Sequence, residues 1–201
     1  MGSASDTDGG LVIPEFDLAT GHLPPGRYTC TMQDVVDHLV ESDQMQGSAT
    51  RADLFGGLAA YLEAWDDLDV FLKTPHRLLK TIWIAGSFAT STLDPNDIDV
   101  SPIVDGELAS TYAGKPGSGR LRDLIGDRRK LRSKYGLDVF PIRWRPVVHV
   151  LTPGTWDNDD AAYLSDRGKF DDFWQRCRVD GSDVPSRESC TSRRGYLEVR
   201  L

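Results

Sequence analysis

Residues 97–104, DIDVSPIV, read as a buried β-strand except that Asp97 and Asp99 stand one residue apart within it. In a strand, residues i and i+2 share a face, so the two carboxylates project together while Ile98 and Val100 turn toward the core. Like charges held that close beside low-dielectric surroundings repel one another. The pair therefore calls for a cationic partner, and a divalent cation is the simplest. Mg²⁺ prefers oxygen ligands, usually takes one or two carboxylates, and leaves room for phosphates and water. The spacing predicts a metal platform fixed by a sheet.

A second apolar run, YGLDVFPIRW at residues 135–144, carries Asp138 between Leu137 and Val139. A lone charge is hard to place in a buried strand. If this strand lies beside the first, three carboxylates converge at one end of the sheet. Upstream, the apolar run 81–85 ends in Gly86-Ser87. Glycine there allows the backbone to approach a ligand closely. Backbone N–H groups, with the hydroxyls of Ser87, Thr90 and Ser91, are then candidates to hold phosphates. Two cations about 3.5–4 Å apart on such a platform would suit an in-line displacement at phosphorus.

The remaining segments predict an α/β (α+β) chain. Thr31 caps an expected helix over 32–41, with Asp34 completing a capping box. Thr50 caps a second over 51–66, with Leu54, Leu58, Tyr61, Leu62 and Trp65 as its apolar stripe. Residues 11–30 read as irregular, punctuated by Pro14, Pro24, Pro25 and Gly26. A basic helix is expected over 120–134, strands over 137–143 and 147–151, a helix over 159–178, and a last strand over 195–201. Helices alternating with strands in this order indicate one small α/β domain over 11–201, preceded by a disordered leader, residues 1–10.

Composition narrows the partners. A net charge of −8 and a pI near 4.9 argue against a protein that coats nucleic acid. No window carries the ~18 apolar residues needed to cross a bilayer, so no membrane partner is expected. Cys30, Cys177 and Cys190 are scattered and odd in number, which fits a reducing cytoplasm rather than a disulfide framework.

An apolar residue, Gly86-Ser87, nine intervening residues, then Asp97-Ile-Asp99-Val, and later Leu-Asp138-Val: this series resembles the DNA polymerase β-type nucleotidyltransferases. The form GSF…PNDIDV is most similar to the minimal nucleotidyltransferases of bacteria and archaea. The motif core covers residues 81–143, and LPPGRYTCTMQDVVDHLV and DFWQRC…RRGYLEVRL look like a stand-alone, nucleotidyltransferase-like bacterial branch. The resemblance implies a nucleotidyltransferase fold, a small mixed β-sheet flanked by helices. It implies Mg²⁺ or Mn²⁺ as cofactor, ATP or another NTP as donor, and transfer of NMP to a hydroxyl of a protein, an RNA or tRNA, or a small molecule. A cognate partner protein and a toxin–antitoxin setting belong to the same expectation. Gly86 and Ser87 would contact the nucleotide phosphates. Asp97 and Asp99 would bind both metals, and Asp138 the catalytic one. The chain departs from many minimal members after Gly-Ser. Phe88-Ala89-Thr90 replaces a small residue, Arg and Gly, so no arginine in the loop is aligned to take the triphosphate. The alternative is a catalytically silent nucleotide-sensing module of the same fold.

Cationic side chains elsewhere stay open. The segment 119–136 holds seven basic residues: Arg120, Arg122, Arg128, Arg129, Lys130, Arg132 and Lys134. They make either a landing site for RNA or triphosphate or a solvated face paired with acidic neighbours. Arg193 and Arg194 could reach the phosphates from the C-terminal end. GKPGSG, residues 114–119, lacks the ending of a phosphate loop and reads as a linker. His22, His38, His76 and His149 show no metal-ligand spacing, and Trp65, Trp83, Trp144 and Trp174 read as core.

Overall fold

One mixed β-sheet organises the protein. The structure, a computed structural model, describes residues 13–177, 186–191 and 193–201. The expected leader, residues 1–10, lies outside them. The elements run β1 (Gly26–Cys30), α1 (Met32–Leu39), α2 (Arg51–Leu72), β2 (Leu79–Ala85), β3 (Ile98–Asp105), α3 (Gly106–Thr111), α4 (Ser118–Ile125), α5 (Arg128–Tyr135), β4 (Leu137–Val139), β5 (Ile142–Trp144), α6 (Asn158–Trp174) and β6 (Gly195–Arg200). The sheet order is β1-β6-β2-β3-β4, with β5 also pairing β3. The pairs β6/β2 and β2/β3 are antiparallel, whereas β1/β6, β3/β4 and β3/β5 are parallel. The expected mixed sheet flanked by helices is present.

Strand alternation divides the core. Ile82, Ile84, Ile98, Val100, Leu197 and Val199 pack with residues of α1, α2, α4 and α5 on one face. Trp83, Ala85, Ile103, Ile142 and Tyr196 pack with Tyr163 and Trp174 of α6 on the other. Burying each such aliphatic side chain contributes roughly 1.5–3 kcal/mol. The indole Nε1 of Trp174 donates to Ser101 Oγ at 2.9 Å, which satisfies both polar groups inside the second layer.

The helices follow their local signals. Thr31 Oγ1 accepts from the Asp34 amide at 3.1 Å, and Asp34 accepts from the Thr31 amide at 2.7 Å, completing the capping box of α1. Helix α2 differs from expectation at both ends. Thr50 makes no side-chain cap; Ser48 Oγ instead accepts from the Arg51 amide at 3.1 Å. The helix continues past residue 66 because Leu68 extends the buried Leu58, Tyr61, Trp65 stripe, and Lys73 ends it in the left-handed conformation, φ 54°. Helix α6 stops at Trp174, short of the expected end; Arg178 lies outside the described residues.

Five other expectations are corrected. Residues 26–30 are not irregular: β1 pairs in parallel with β6, a partner at the far end of the chain that no local pattern reveals. The single basic helix is two, because Gly126 ends α4 and Asp127 starts α5, its carboxylate accepting from the Arg129 and Lys130 amides. The strand expected over 137–143 is split at Phe140-Pro141 into β4 and β5, which lie along successive parts of the same edge of β3. Proline has no N–H for a ladder, so the interruption falls where the sequence places it. Residues 147–151 form turns rather than a strand, with Val148, Val150 and Leu151 exposed. Trp65, Trp83 and Trp174 are core, while Trp144 is only half-buried, with Lys80 Nζ 4.0 Å from its ring centre.

Candidate metal and phosphate site

The β3/β4 ladder pairs Asp99 with Asp138. Directly paired residues in a ladder send their side chains to the same face, here the face that α6 covers. The antiparallel β2/β3 register sets Asp99 opposite Ala85, immediately before Gly86. Asp97 stands just ahead of β3, one residue before its first. The structure thus gathers Asp97, Asp99, Asp138 and Gly86-Ser87 at one end of the adjacent strands β2, β3 and β4.

The Gly86-Ser87 turn is built around Asp99. Gly86 has φ 71° and ψ −158°, a conformation that favours glycine. A Cβ there would lie 2.8 Å from Asp99 Cγ and nearer still to Oδ2, so the carboxyl occupies the place of the missing side chain. Ser87 opens a short 3₁₀ turn, Ser87–Ala89. The Thr90 hydroxyl is committed inside the loop, donating to Ser87 O at 2.7 Å. Ser91 is exposed, and its amide donates to Gly21 O at 2.8 Å. That contact brings the 21–22 segment beside the loop, where His22 Nδ1 lies 3.4 Å from Cys177 Sγ.

A residue that sequence reading passed over holds this loop. Arg51, 1% exposed at the start of α2, sends its guanidinium to the carbonyls of Leu39 and Phe88, both at 2.8 Å, Thr90 at 2.7 Å and Thr92 at 2.6 Å. Burial pushes its pKa down to about 10, with Asp94 pulling the other way. An arginine in the first turn of a helix opposes the helix dipole, and that mismatch is the one cue the sequence offers.

Charge at the site is balanced from α5. Arg128 Nε and Nη2 each donate to Asp138 at 2.6 Å, a fork-to-carboxylate pair. Arg132, one turn further along the same helix face, places Nη2 2.7 Å from Asp97 Oδ2. The Arg128 guanidinium also lies over the Phe140 ring, 4.1 Å from its centre. Asp99 is left as the carboxylate between them. Burial pushes its pKa up to about 6, Asp97 and Asp138 push in the same direction, and Arg194 and Arg132 offset part of the rise. Arg194 therefore acts electrostatically on the site while its Nε donates to Trp174 O at 3.0 Å. Arg193 is exposed, and its Nη2 donates to Glu188 O at 3.2 Å.

Among the described residues, no three His, Cys, Asp or Glu side chains form a metal-holding group by themselves. Asp97, Asp99 and the phosphates of a ligand are nonetheless a donor set that suits Mg²⁺. The raised pKa of Asp99 fits such a group, since a cation would offset both the burial and the repulsion from Asp97 and Asp138 that raise it. A separate cleft of about 250 Å³ lies past the other end of β3, lined by Glu107, Arg145, Asp159 and Asp166. Its Arg145 is engaged by Asp157 at 3.3 Å and Asp159 at 2.9 Å, an ion network that ties α6 to the β5 side.

Fold and site together define a mixed α/β protein with a carboxylate cluster and a glycine-serine turn at one end of its sheet. The chain belongs to the family described as "Family of unknown function (DUF6932)", which it matches over residues 14–200. No curated protein and no solved structure matches it significantly. No helix among the described residues is long and apolar enough to cross a membrane.

Proposed function

We propose that the protein is a metal-dependent nucleotidyltransferase that moves NMP from an NTP to a hydroxyl acceptor, on a nucleotidyltransferase fold. The observation that carries this reading is the register that sets Asp99 beside Asp138 and against Gly86. It supports the arrangement expected from the motif series, in which a carboxylate platform and a phosphate-accepting turn share one edge.

Asp97 and Asp99 would hold Mg²⁺ or Mn²⁺, with Asp138 completing the set. When bound, the cations supply charge neutralisation at the triphosphate and lower the pKa of a coordinated hydroxyl. The chain's own residues do the rest. The amides after Gly86 and the Ser87 hydroxyl orient the triphosphate, and Arg194 adds positive charge. Asp138 would receive the proton that the acceptor hydroxyl loses. The acceptor oxygen bonds to the α-phosphorus, the bond from that phosphorus to the bridging oxygen breaks, and pyrophosphate departs. Protein, RNA, tRNA and small-molecule hydroxyls are all open as acceptors, and a partner protein in a toxin–antitoxin setting could present one.

A second reading has its own support. Arg128 and Arg132 already neutralise Asp138 and Asp97, and Phe88-Ala89-Thr90 supplies no loop arginine. Both features suit a silent nucleotide-sensing module. Transfer of α-labelled NMP decides between them. Each NTP is offered with Mg²⁺ or Mn²⁺ to cell RNA and cell protein, beside an Asp97→Ala/Asp99→Ala variant. Label that enters one fraction and is lost in the variant supports the enzyme. Nucleotide binding without label transfer supports the sensor.

A further inference from the structure

We propose that Arg128 and Arg132 are an exchangeable pair of phosphate ligands, held on Asp138 and Asp97 until a divalent cation displaces them onto the triphosphate of a bound NTP. This rests on the nucleotide-binding reading above and assigns the residues that would grip the phosphates.

The lone pairs are the first argument. Arg128 takes both oxygens of Asp138, and Arg132 takes one of Asp97. A cation on the same carboxylates competes with the guanidiniums for these oxygens and repels their charge, which drives the arginines outward. The second argument is how readily they move. Both arginine side chains are 53% exposed, whereas the Asp97 and Asp138 side chains are 15% and 16% exposed. The guanidiniums are largely solvated, so water takes up their hydrogen bonds when they leave, while the cation takes over the carboxylates.

The third argument is where the displaced side chains remain. They sit four residues apart on one face of α5, and Asp127 fixes the start of that helix beneath them. The Phe140 ring holds Arg128 at the rim once it has left Asp138, because cation–π attraction does not need the carboxylate. Two planar forks are thereby left at the rim of the site, and bidentate recognition of phosphate is what such forks do best. The fourth argument is that the Gly-Ser turn itself supplies no guanidinium fork. The Gly-Ser loop carries no arginine, and Arg51 beneath it spends its hydrogen bonds on four carbonyl groups.

The test compares wild type with Arg128→Gln/Arg132→Gln in two measurements. Mn²⁺ binding without nucleotide is read by electron paramagnetic resonance. Loss of the competing guanidiniums should tighten it roughly three- to fivefold. Binding of the α,β-methylene analogues of the four NTPs at saturating Mg²⁺ is read by calorimetry. Loss of the phosphate ligands should weaken it about 10- to 100-fold. Opposite signs in the two measurements are the signature. A third measurement needs no variant. The Arg128 Nε–H resonance of the ¹⁵N-labelled wild type should leave its carboxylate-bonded position when Mg²⁺ is added. A resonance that stays put overturns the exchange. Wild type that binds Mn²⁺ but none of the analogues overturns the nucleotide reading and this one with it. Wild type that binds the analogues, with a variant that binds them equally well, overturns this inference alone.

Discussion

Asp99 lies where the side chain of residue 86 would be. A Cβ at Gly86 would come 2.8 Å from Asp99 Cγ, and the positive φ of 71° disfavours any substitute in its own right. The turn and the carboxylate are thus one packed unit, so a ligand held at either would meet both. Gly86→Ala should lower stability by about 2–3 kcal/mol, from backbone strain plus displacement of the carboxyl. Urea denaturation measures the loss. Mn²⁺ binding should fall in the same variant, because Asp99 must move. A variant as stable as wild type would mean that the carboxyl yields freely.

Metal-free stability should fall as pH rises through the Asp99 transition. The folded pKa of about 6 is raised above the ordinary 3.8. A raised pKa contributes stability that is fully present below the unfolded value and lost as pH rises through the folded one. From this group the protein should lose on the order of 2–3 kcal/mol between about pH 4 and pH 7. Asp99→Asn should flatten that slope and leave the metal-free protein more stable near pH 7, though unable to bind metal. Urea midpoints across pH, with chelator present, report it. An unchanged slope in the variant would place the titration elsewhere.

Arg51 is a positioning residue for the Gly-Ser loop. Its guanidinium bonds four carbonyl groups, three of them in the 88–92 segment. Arg51→Met fills similar volume but leaves those carbonyls without donors, which should cost about 3–5 kcal/mol. Arg51→Lys has a single ammonium in place of a fork and should recover only part of it. Hydrogen exchange should show the 88–92 amides opening before the sheet amides do. Uniform loss of protection would make Arg51 a general core residue instead.

Two adjacent glycines of α2 should respond with opposite signs. Gly56 faces open space, and Gly56→Ala should stabilise by about 0.5–1 kcal/mol through helix propensity. Gly57 faces the end of α5, where a Cβ would lie 2.8 Å from the Tyr135 carbonyl carbon. Gly57→Ala should instead cost about 1–3 kcal/mol by overpacking. It should also shift α5, and with it Arg128 and Arg132, so Mn²⁺ affinity should change in this variant and not in the other. Thermal melts give the first comparison and Mn²⁺ titration the second.

The sequence by itself determined the parts whose signals are local. Alternation in DIDVSPIV put Asp97 and Asp99 on one face, the apolar neighbours of Asp138 made a second strand, and the Thr31-Asp34 capping box started α1. Those features depend on residues a few positions apart, and backbone geometry reads them directly. Only the tertiary structure decided what meets what. The pairing of Asp99 with Asp138, the parallel partnership of β1 with β6, and the claim of Arg128 and Arg132 on the carboxylates join residues separated by one to three helices or by most of the chain. The basic run 119–136 shows why. Its composition served equally for a nucleic-acid surface or a solvated face, and the break at Gly126-Asp127 was needed to turn α5 onto the site. Charge is a property of residues, but the partner of a charge is a property of packing, and packing is settled across the whole sheet at once.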